Sequence, residues 1–332
     1  MDGRQAAGEI AVRAVDREPL ATTDREVAPL AHDGWLEWTA TKHRVRPHRL
    51  GTTHPDGSGL QALVYLDRRE IVLPPLHPYV PLGWSAPTTE KRYRQSRRWL
   101  EDARPVVEEM RARGLATPLV FEGTHDGAPV DMRPWQWAGF RVGVRYTYWR
   151  SLPVDAAEID PAVRRKARQA TEHGYHCERA VEPDEVVACL VETERRQGFG
   201  YGLTVADVAR LRDLLGPERF RMYVCRAPDD TVAAVRLVLH ARGHVAIDWV
   251  NGTASDHLQS GATQLLIGTV LDDVARAGAS AFDFEGANIP GVAAAKMTWG
   301  AQLVPWYVVE PFGLRGLARW GRDWLRYVRG VR

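Results

Sequence analysis

The chain has 332 residues, 45% hydrophobic and 26% charged, and its 44 Lys and Arg barely outnumber its 42 Asp and Glu, for a net charge of +2. That length allows two domains or one large one, and the near-neutrality argues against a surface built to grip long nucleic acid, while leaving room for local basic patches. No apolar run reaches the roughly 18–20 residues of a membrane span, and the N-terminal MDGRQAAGEIAVRAVDREP lacks the apolar core of a signal peptide, so a cytoplasmic location is expected. Cys177, Cys189 and Cys225 are irregularly spaced and read as free thiols, neither a disulfide framework nor zinc ligands. The histidines show no HExxH pattern, so no catalytic metal is expected.

Residues 1–33 are rich in Ala, Asp, Glu and Arg with weak periodicity and read as a loosely held lead-in. From Gly34 the chain turns aromatic and strand-like. GLQALVYLD (59–67) and REIVLPPL (69–76) read as short strands about a turn, and HPYVPLGWSAP (77–87) as a Pro/Gly-rich loop. In EKRYRQSRRWLEDARPVVEEMRARG (90–114), Leu100, Val106, Val107 and Met110 fall near helical spacing before a Gly stop. ATPLVFEG (116–123) reads as a buried strand, and WQWAGFRVGVRYTYWRSL (135–152) as a loop and strand leading out of the first half.

DPAVRRKARQATEHG (160–174) predicts a helix with Asp160 at its N-cap, Pro161 at its first position and Gly174 at its stop. After a strand (YHCERAV) come helices over 183–198 and 204–216. FRMYVCRAP, TVAAVRLVLHARG and HVAIDWVNG then form a meander of strands, followed by a helix over 261–278 and the strand ASAFDFEG. A short helical turn, the strand LVPWYVVE and a helical tail close the chain. The order predicts a mixed α/β domain with a largely antiparallel sheet, and the first half repeats that order coarsely.

Two segments carry a resemblance. WAGFRVGVRYTYWRSLPVDAAEIDPAVRRKARQATEHG resembles the junction of proteins with tandem GNAT-like (N-acetyltransferase-like) lobes, where a helix of the form R-x-x-I-R-K-A-x-x-x-G follows aromatic strands. Here Ala167 replaces the helical Ile and Gln169 the Lys. FDFEGANIPGVAAAKMTWGAQLVPWYVVE is similar to the closing signature of the Fem-type aminoacyltransferases, matched by Asp283, Phe284, Gly286, Lys296, Trp299 and Gly300, with Ala295 where the family has Phe. The resemblance spans roughly residues 135–310 and implies two tandem GNAT-like lobes, 34–152 and 153–310, each a mainly antiparallel sheet flanked by helices, with a basic C-terminal helix over 311–332. It also implies an acyltransferase that moves an amino acid from aminoacyl-tRNA to a nitrogen. Fem enzymes do so on peptidoglycan precursors, often with a long helical arm; no such arm is visible here, which favours the small-molecule, natural-product relatives. Acetyl-CoA as donor remains the alternative, as does a peptidoglycan precursor as acceptor. Apart from the co-substrate, no cofactor is expected.

The CoA-cradling turn of a GNAT enzyme has its counterpart at Gln259-Ser260-Gly261-Ala262, where one glycine and no preceding basic residue remain, and Ser260 reads as an ordinary helix cap. In the tail, Arg315, Arg319, Arg322, Arg326 and Arg329 are spaced to make one basic helical stripe, suited to a tRNA backbone, to an anionic membrane surface or to plain solvation. Amide formation from an aminoacyl ester needs a neutral amine held in line, relief of its proton, and a donor to the oxyanion. Lys296 is the candidate donor. Asp283 and Glu285, expected on one strand face opposite Phe282 and Phe284, are candidates to orient or deprotonate the amine. Asn288, Arg164, Arg168 and Trp299 are the candidate substrate-binding residues, and His77, Tyr79 and Trp84 mark a loop where an acceptor pocket between the lobes would form.

Overall fold

The computed structural model describes residues 26–89, 91–125, 128–180, 182–198 and 200–311. Arg315, Arg319, Arg322, Arg326 and Arg329, with most of the lead-in, lie outside the described residues. The aromatic stretch from Gly34, strand-like in sequence, is a helix instead: α1 (Asp33–His43), opened by His32, whose Nδ1 accepts from Gly34 N at 3.0 Å. Trp35 and Trp38 stand three residues apart and therefore share a face. Both are buried, with ring centroids 5.5 and 5.6 Å from that of Trp249 far along the chain. Burial of this pair overrides the modest helix propensity of tryptophan.

β1 (Arg46–Thr53), β2 (Gly59–Asp67), β3 (Glu70–Val72) and β4 (Leu82–Ser85) form a four-stranded antiparallel sheet around β2. β3 is cut short where Pro74 and Pro75 follow, since proline cannot donate to a ladder. Helix α2 (Arg92–Arg113) covers this sheet with Trp99, Val106, Val107 and Met110. After it come β5 (Leu119–Glu122), the small hairpin β6 (Thr124–His125) and β7 (Ala128–Pro129), α3 (Arg133–Trp137) and β8 (Phe140–Ser151). The second half supplies α4 (Pro161–Glu172), β9 (His176–Arg179), α5 (Pro183–Gln197), α6 (Val205–Arg219), β10 (Phe220–Arg226), β11 (Val232–Leu239), β12 (Val245–Thr253), α7 (Ala262–Arg276), β13 (Ala281–Asp283), α8 (Pro290–Met297) and β14 (Gln302–Pro311). Helix α4 starts as its sequence predicts, with Asp160 accepting from Ala162 N at 2.7 Å and Pro161 at the first position.

An eight-stranded sheet runs in the order β5-β14-β8-β13-β12-β11-β10-β9. The mixed α/β architecture with mainly antiparallel sheets is as expected. What the chain order does not reveal is that β5 and β8, from the first half, are built into the second half's sheet. One pair is parallel: β12 and β13, joined through α7. They match only over Val245–Ile247 and Ala281–Asp283. Beyond that β12 continues to Thr253, while Glu285 takes a φ of 50° and turns its strand away. Two parallel strands that part company leave a wedge and a set of backbone groups with no ladder partner. The candidate site is built in that wedge.

The two faces of the large sheet are packed by different elements. On one lie α1, α5 and α6 over Leu237, Ile247, Trp249 and Trp306; on the other lies α7 over Val238, Ala246, Phe282 and Phe284.

Candidate active site

A cleft of about 530 Å³ opens on the α7 face beside the wedge, lined by Val163 and Lys166 of α4, Arg236, Asn251, Thr263 and Gln264, and by Phe284, Ala295, Lys296 and Trp299. Trp299 is buried, with its ring 6.3 Å from that of Phe284, and forms the apolar wall. With no aromatic at Ala295, that side of the cleft is left open to solvent by an exposed methyl group.

Lys296 reaches back from the last turn of α8 into the wedge. Its Nζ donates to the carbonyls of Glu285 and of Gly286, the latter at 2.9 Å, which are backbone acceptors left over where β13 turns away. An ammonium has three N–H groups, so one remains for the cleft. Burial lowers its pKa below the usual lysine value; the Asp248 carboxylate opposes that shift and the Arg236 guanidinium adds to it. Arg236 and Asp248 are themselves a buried ion pair on adjacent strands, with Asp248 Oδ1 left unpartnered.

The carboxyls lie across from this lysine. Asp283 is fully buried; its Oδ1 accepts from Thr147 Oγ1 at 2.5 Å and from Glu285 N at 2.8 Å. The Trp149 indole N–H stands beside the carboxyl and favours its ionised form, without closing a hydrogen bond of good geometry. Burial nonetheless dominates and raises the Asp283 pKa to about 6. Glu285, whose Oε1 is sealed from solvent and unpartnered, is raised well above the usual carboxylate value by burial first, then by the charges of Asp283 and Asp248. Phe282 and Phe284 share the opposite face, 5.0 Å apart, as alternation predicts. Glu285 departs from it, because its left-handed backbone ends the strand one step early.

Other expectations fare differently. The Asn288 amide is occupied by the backbone of β8, accepting from Tyr146 N at 2.9 Å and donating to Tyr146 O at 3.0 Å; it continues the ladder that β13 abandons, so it holds the loop and does not present a free amide. Arg164 and Arg168 are exposed and do not line the cleft, Arg168 pairing with Glu172 at 3.7 Å; Lys166, between them in sequence, does line it. Of the Pro-rich loop residues, His77 is core, accepting from Trp35 Nε1 at 3.0 Å and held neutral by burial with a pKa of about 3. Trp84 of β4 donates to Asp102 of α2 at 3.3 Å, tying the small sheet to its covering helix. Only Tyr79 feels the site carboxyls. Sequence reasoning missed Glu122, whose pKa burial lifts to about 7, and the Arg236–Asp248 pair. A signal existed: each is a lone charge in or at the end of an otherwise apolar strand, VFE, AVRLV and AIDWV.

At the start of α7, Gly261 has a φ of 86°, and a Cβ there would lie 2.4 Å from the Lys166 carbonyl oxygen of α4. Ser260 Oγ caps the turn by accepting from Ala262 N at 3.1 Å. Gly261→Ala is therefore expected to destabilise the protein by about 2–4 kcal/mol, summing left-handed strain and forced displacement of a helix backbone. Urea denaturation reads the loss directly.

Residues 161–293 match the acetyltransferase (GNAT) domain family. The wedge between the parallel strands lies inside the matched region. The chain's architecture is Fem-like: it superposes on FemX with a TM-score of 0.58 at 13% identity, over 83% of this chain and 90% of that one. L-PGS from Bacillus licheniformis superposes with a TM-score of 0.53 at 13% identity, over 85% and 89% of the two chains. At such identities the likeness is one of fold. No curated protein matches the chain in sequence. Among the described residues no helix is long and apolar enough to cross a membrane.

Proposed function

We propose that this chain forms an amide by moving an amino acid from aminoacyl-tRNA to a nitrogen of a small molecule, as in natural-product tailoring, by direct attack without a covalent enzyme intermediate. The choice of donor rests on one observation: the Lys166 carbonyl, packed against Gly261, sets a partial negative charge where a CoA pyrophosphate would need donors. The Fem-type signature at Asp283, Gly286, Lys296 and Trp299 supplies the donor class.

In this reading the aminoacyl end enters the cleft along Trp299, and the free N–H of Lys296 meets the oxyanion that develops as nitrogen attacks. Glu285 and Asp283 take the proton the amine must lose, as general bases tuned by burial. Arg315, Arg319, Arg322, Arg326 and Arg329 are proposed to follow the tRNA backbone. A second reading, transfer from acyl-CoA, is favoured by the domain family's description as an acetyltransferase.

Incubation with a small-molecule amine library and either charged tRNA or acyl-CoA, with product mass read before and after RNase, separates the two. Products that vanish with RNase are expected. Products that survive RNase and require acyl-CoA would replace the first reading by the second.

A further inference from the structure

Asp283 faces away from the cleft, and the register shows what it faces with. In antiparallel pairs, residues directly opposite share a face, as do residues two apart on a strand. Asp283 pairs with Trp149 of β8; Thr147, two residues back, pairs with Val304 of β14; Trp306, two further on, pairs with Glu122 of β5. All six side chains therefore stand on one sheet face, with Glu122 and Asp283 at its two sides and the small Thr147 and Val304 between them; Arg145 of β8, opposite Trp306, shares that face and is exposed. Tyr79 roofs this row from the Pro-rich loop, its ring 5.8 Å from that of Trp306. Burial, and then the charges of Glu122, Asp283 and Glu285, raise the Tyr79 hydroxyl pKa well above its usual value.

Two features are costly unless something binds here. The buried Asp283 and the half-buried Glu122 and Glu285 act on one another or on Tyr79, and the cation acting on Asp283 and Glu285 is Lys296, already tied to two carbonyls from the other side. Trp306 is only 7% exposed, yet its indole N–H has no partner. A buried unpaired donor beside a surplus of acid asks for a ligand with a positive charge next to an acceptor oxygen. A metal ion fits poorly: among the described residues no three acidic, His or Cys groups close to ligand distance.

We propose that Glu122, Asp283, Tyr79 and Trp306 form the acceptor subsite, which takes a primary ammonium carrying a neighbouring hydroxyl or carbonyl oxygen and admits it to Glu285 through the wedge between β12 and β13. The assignment rests on the amide-forming reading above for its role, but not for its binding. The amine enters as R–NH3+, gives one proton to a carboxylate of the subsite, and attacks as R–NH2. The second N–H proton leaves the amide-forming adduct to Glu285 while the ester oxygen departs with the electron pair. Donor and acceptor thus approach from opposite faces of one sheet, and Glu285 stands in the gap that joins them.

The test uses ethanolamine as probe, with ethylene glycol as its neutral counterpart, in calorimetric titrations at pH 6.5 in two buffers of different ionisation enthalpy. Ethanolamine is expected to bind with release of protons, because the arriving cation ionises protonated carboxyls, and ethylene glycol is expected not to bind. Glu122→Gln should weaken ethanolamine at least about tenfold and reduce the proton release, a fold-change worth about 1.4 kcal/mol. Tyr79→Phe, which keeps the ring packing, should give a smaller loss. Equal affinity for the two probes, absence of ethanolamine binding, or unchanged binding and proton release in a folded Glu122→Gln protein would overturn the assignment. Because no donor is present, failure here leaves the tRNA reading standing, and failure of the RNase experiment leaves this subsite standing.

Discussion

Lys296→Met is expected to lower kcat by about 10²–10³-fold, the usual loss when one well-placed oxyanion donor is removed. Two carbonyl bonds fix the Lys296 ammonium, so its remaining N–H is aimed without freedom to wander. The same bonds give the lysine a structural share: methionine leaves two backbone acceptors unpaired, and about 1–3 kcal/mol of stability should go with them. The pH profile separates the two roles. Activity needs the carboxyls ionised and the lysine protonated, so the rate should rise through pH 6–7, where Asp283 (about 6) and Glu122 (about 7) lose protons as a coupled set. It should fall again below the usual lysine value, since burial depresses Lys296. Lys296→Met should keep the acid limb and lose the alkaline one. Lys296→Arg should recover part of the rate and push the alkaline limb upward, because a guanidinium does not titrate in that range. An alkaline limb unchanged in Lys296→Met would remove the lysine from the chemistry.

Asp283→Asn is expected to make the protein more stable and less active. The Asp283 carboxyl is held at about 6 when folded against an ordinary value of 3.8. Between those values the folded protein keeps a proton that the unfolded chain releases. Stability therefore falls as pH rises from about 4 to about 6 and stays lower above. Two units correspond to about 3 kcal/mol, the order of what burying this charge costs. Asparagine does not ionise, and its Oδ1 can still accept from Thr147 and from Glu285 N. Thermal denaturation should show a higher Tm than the parent at pH 8 and little difference at pH 4, with turnover reduced at both. A variant destabilised equally at both pH values would show that Asp283 serves packing and not proton transfer. Such opposition of stability and activity is the mark of a group kept for chemistry.

Much of the fold was legible because its signals are local. Asp160-Pro161 with Gly174, the Gly stop after Met110, and the apolar runs of the meander each report on a few neighbouring residues, and the elements formed close to where they read. The helix over Trp35 and Trp38 was not legible, since what decides it is Trp249, some two hundred residues on. The site divides the same way. Lys296, Asp283, Glu285 and Trp299 stand in one closing segment whose pattern marks them, whereas Glu122 and Tyr79 are made part of the site only when β5 joins β14 and the Pro-rich loop folds over it.

By itself, then, the sequence determined most of the elements, the mixed α/β class and the lysine and carboxyls of the closing run, because those depend on spacing along a few turns of chain. The tertiary structure alone decided that β12 and β13 part after three residues, that Lys296 is pinned in the opening by carbonyls, and that Asp283 looks to the other face toward Glu122. Those facts are set by pairings between strands distant in sequence and by the burial that shifts each carboxyl, and neither quantity is a property of any one segment.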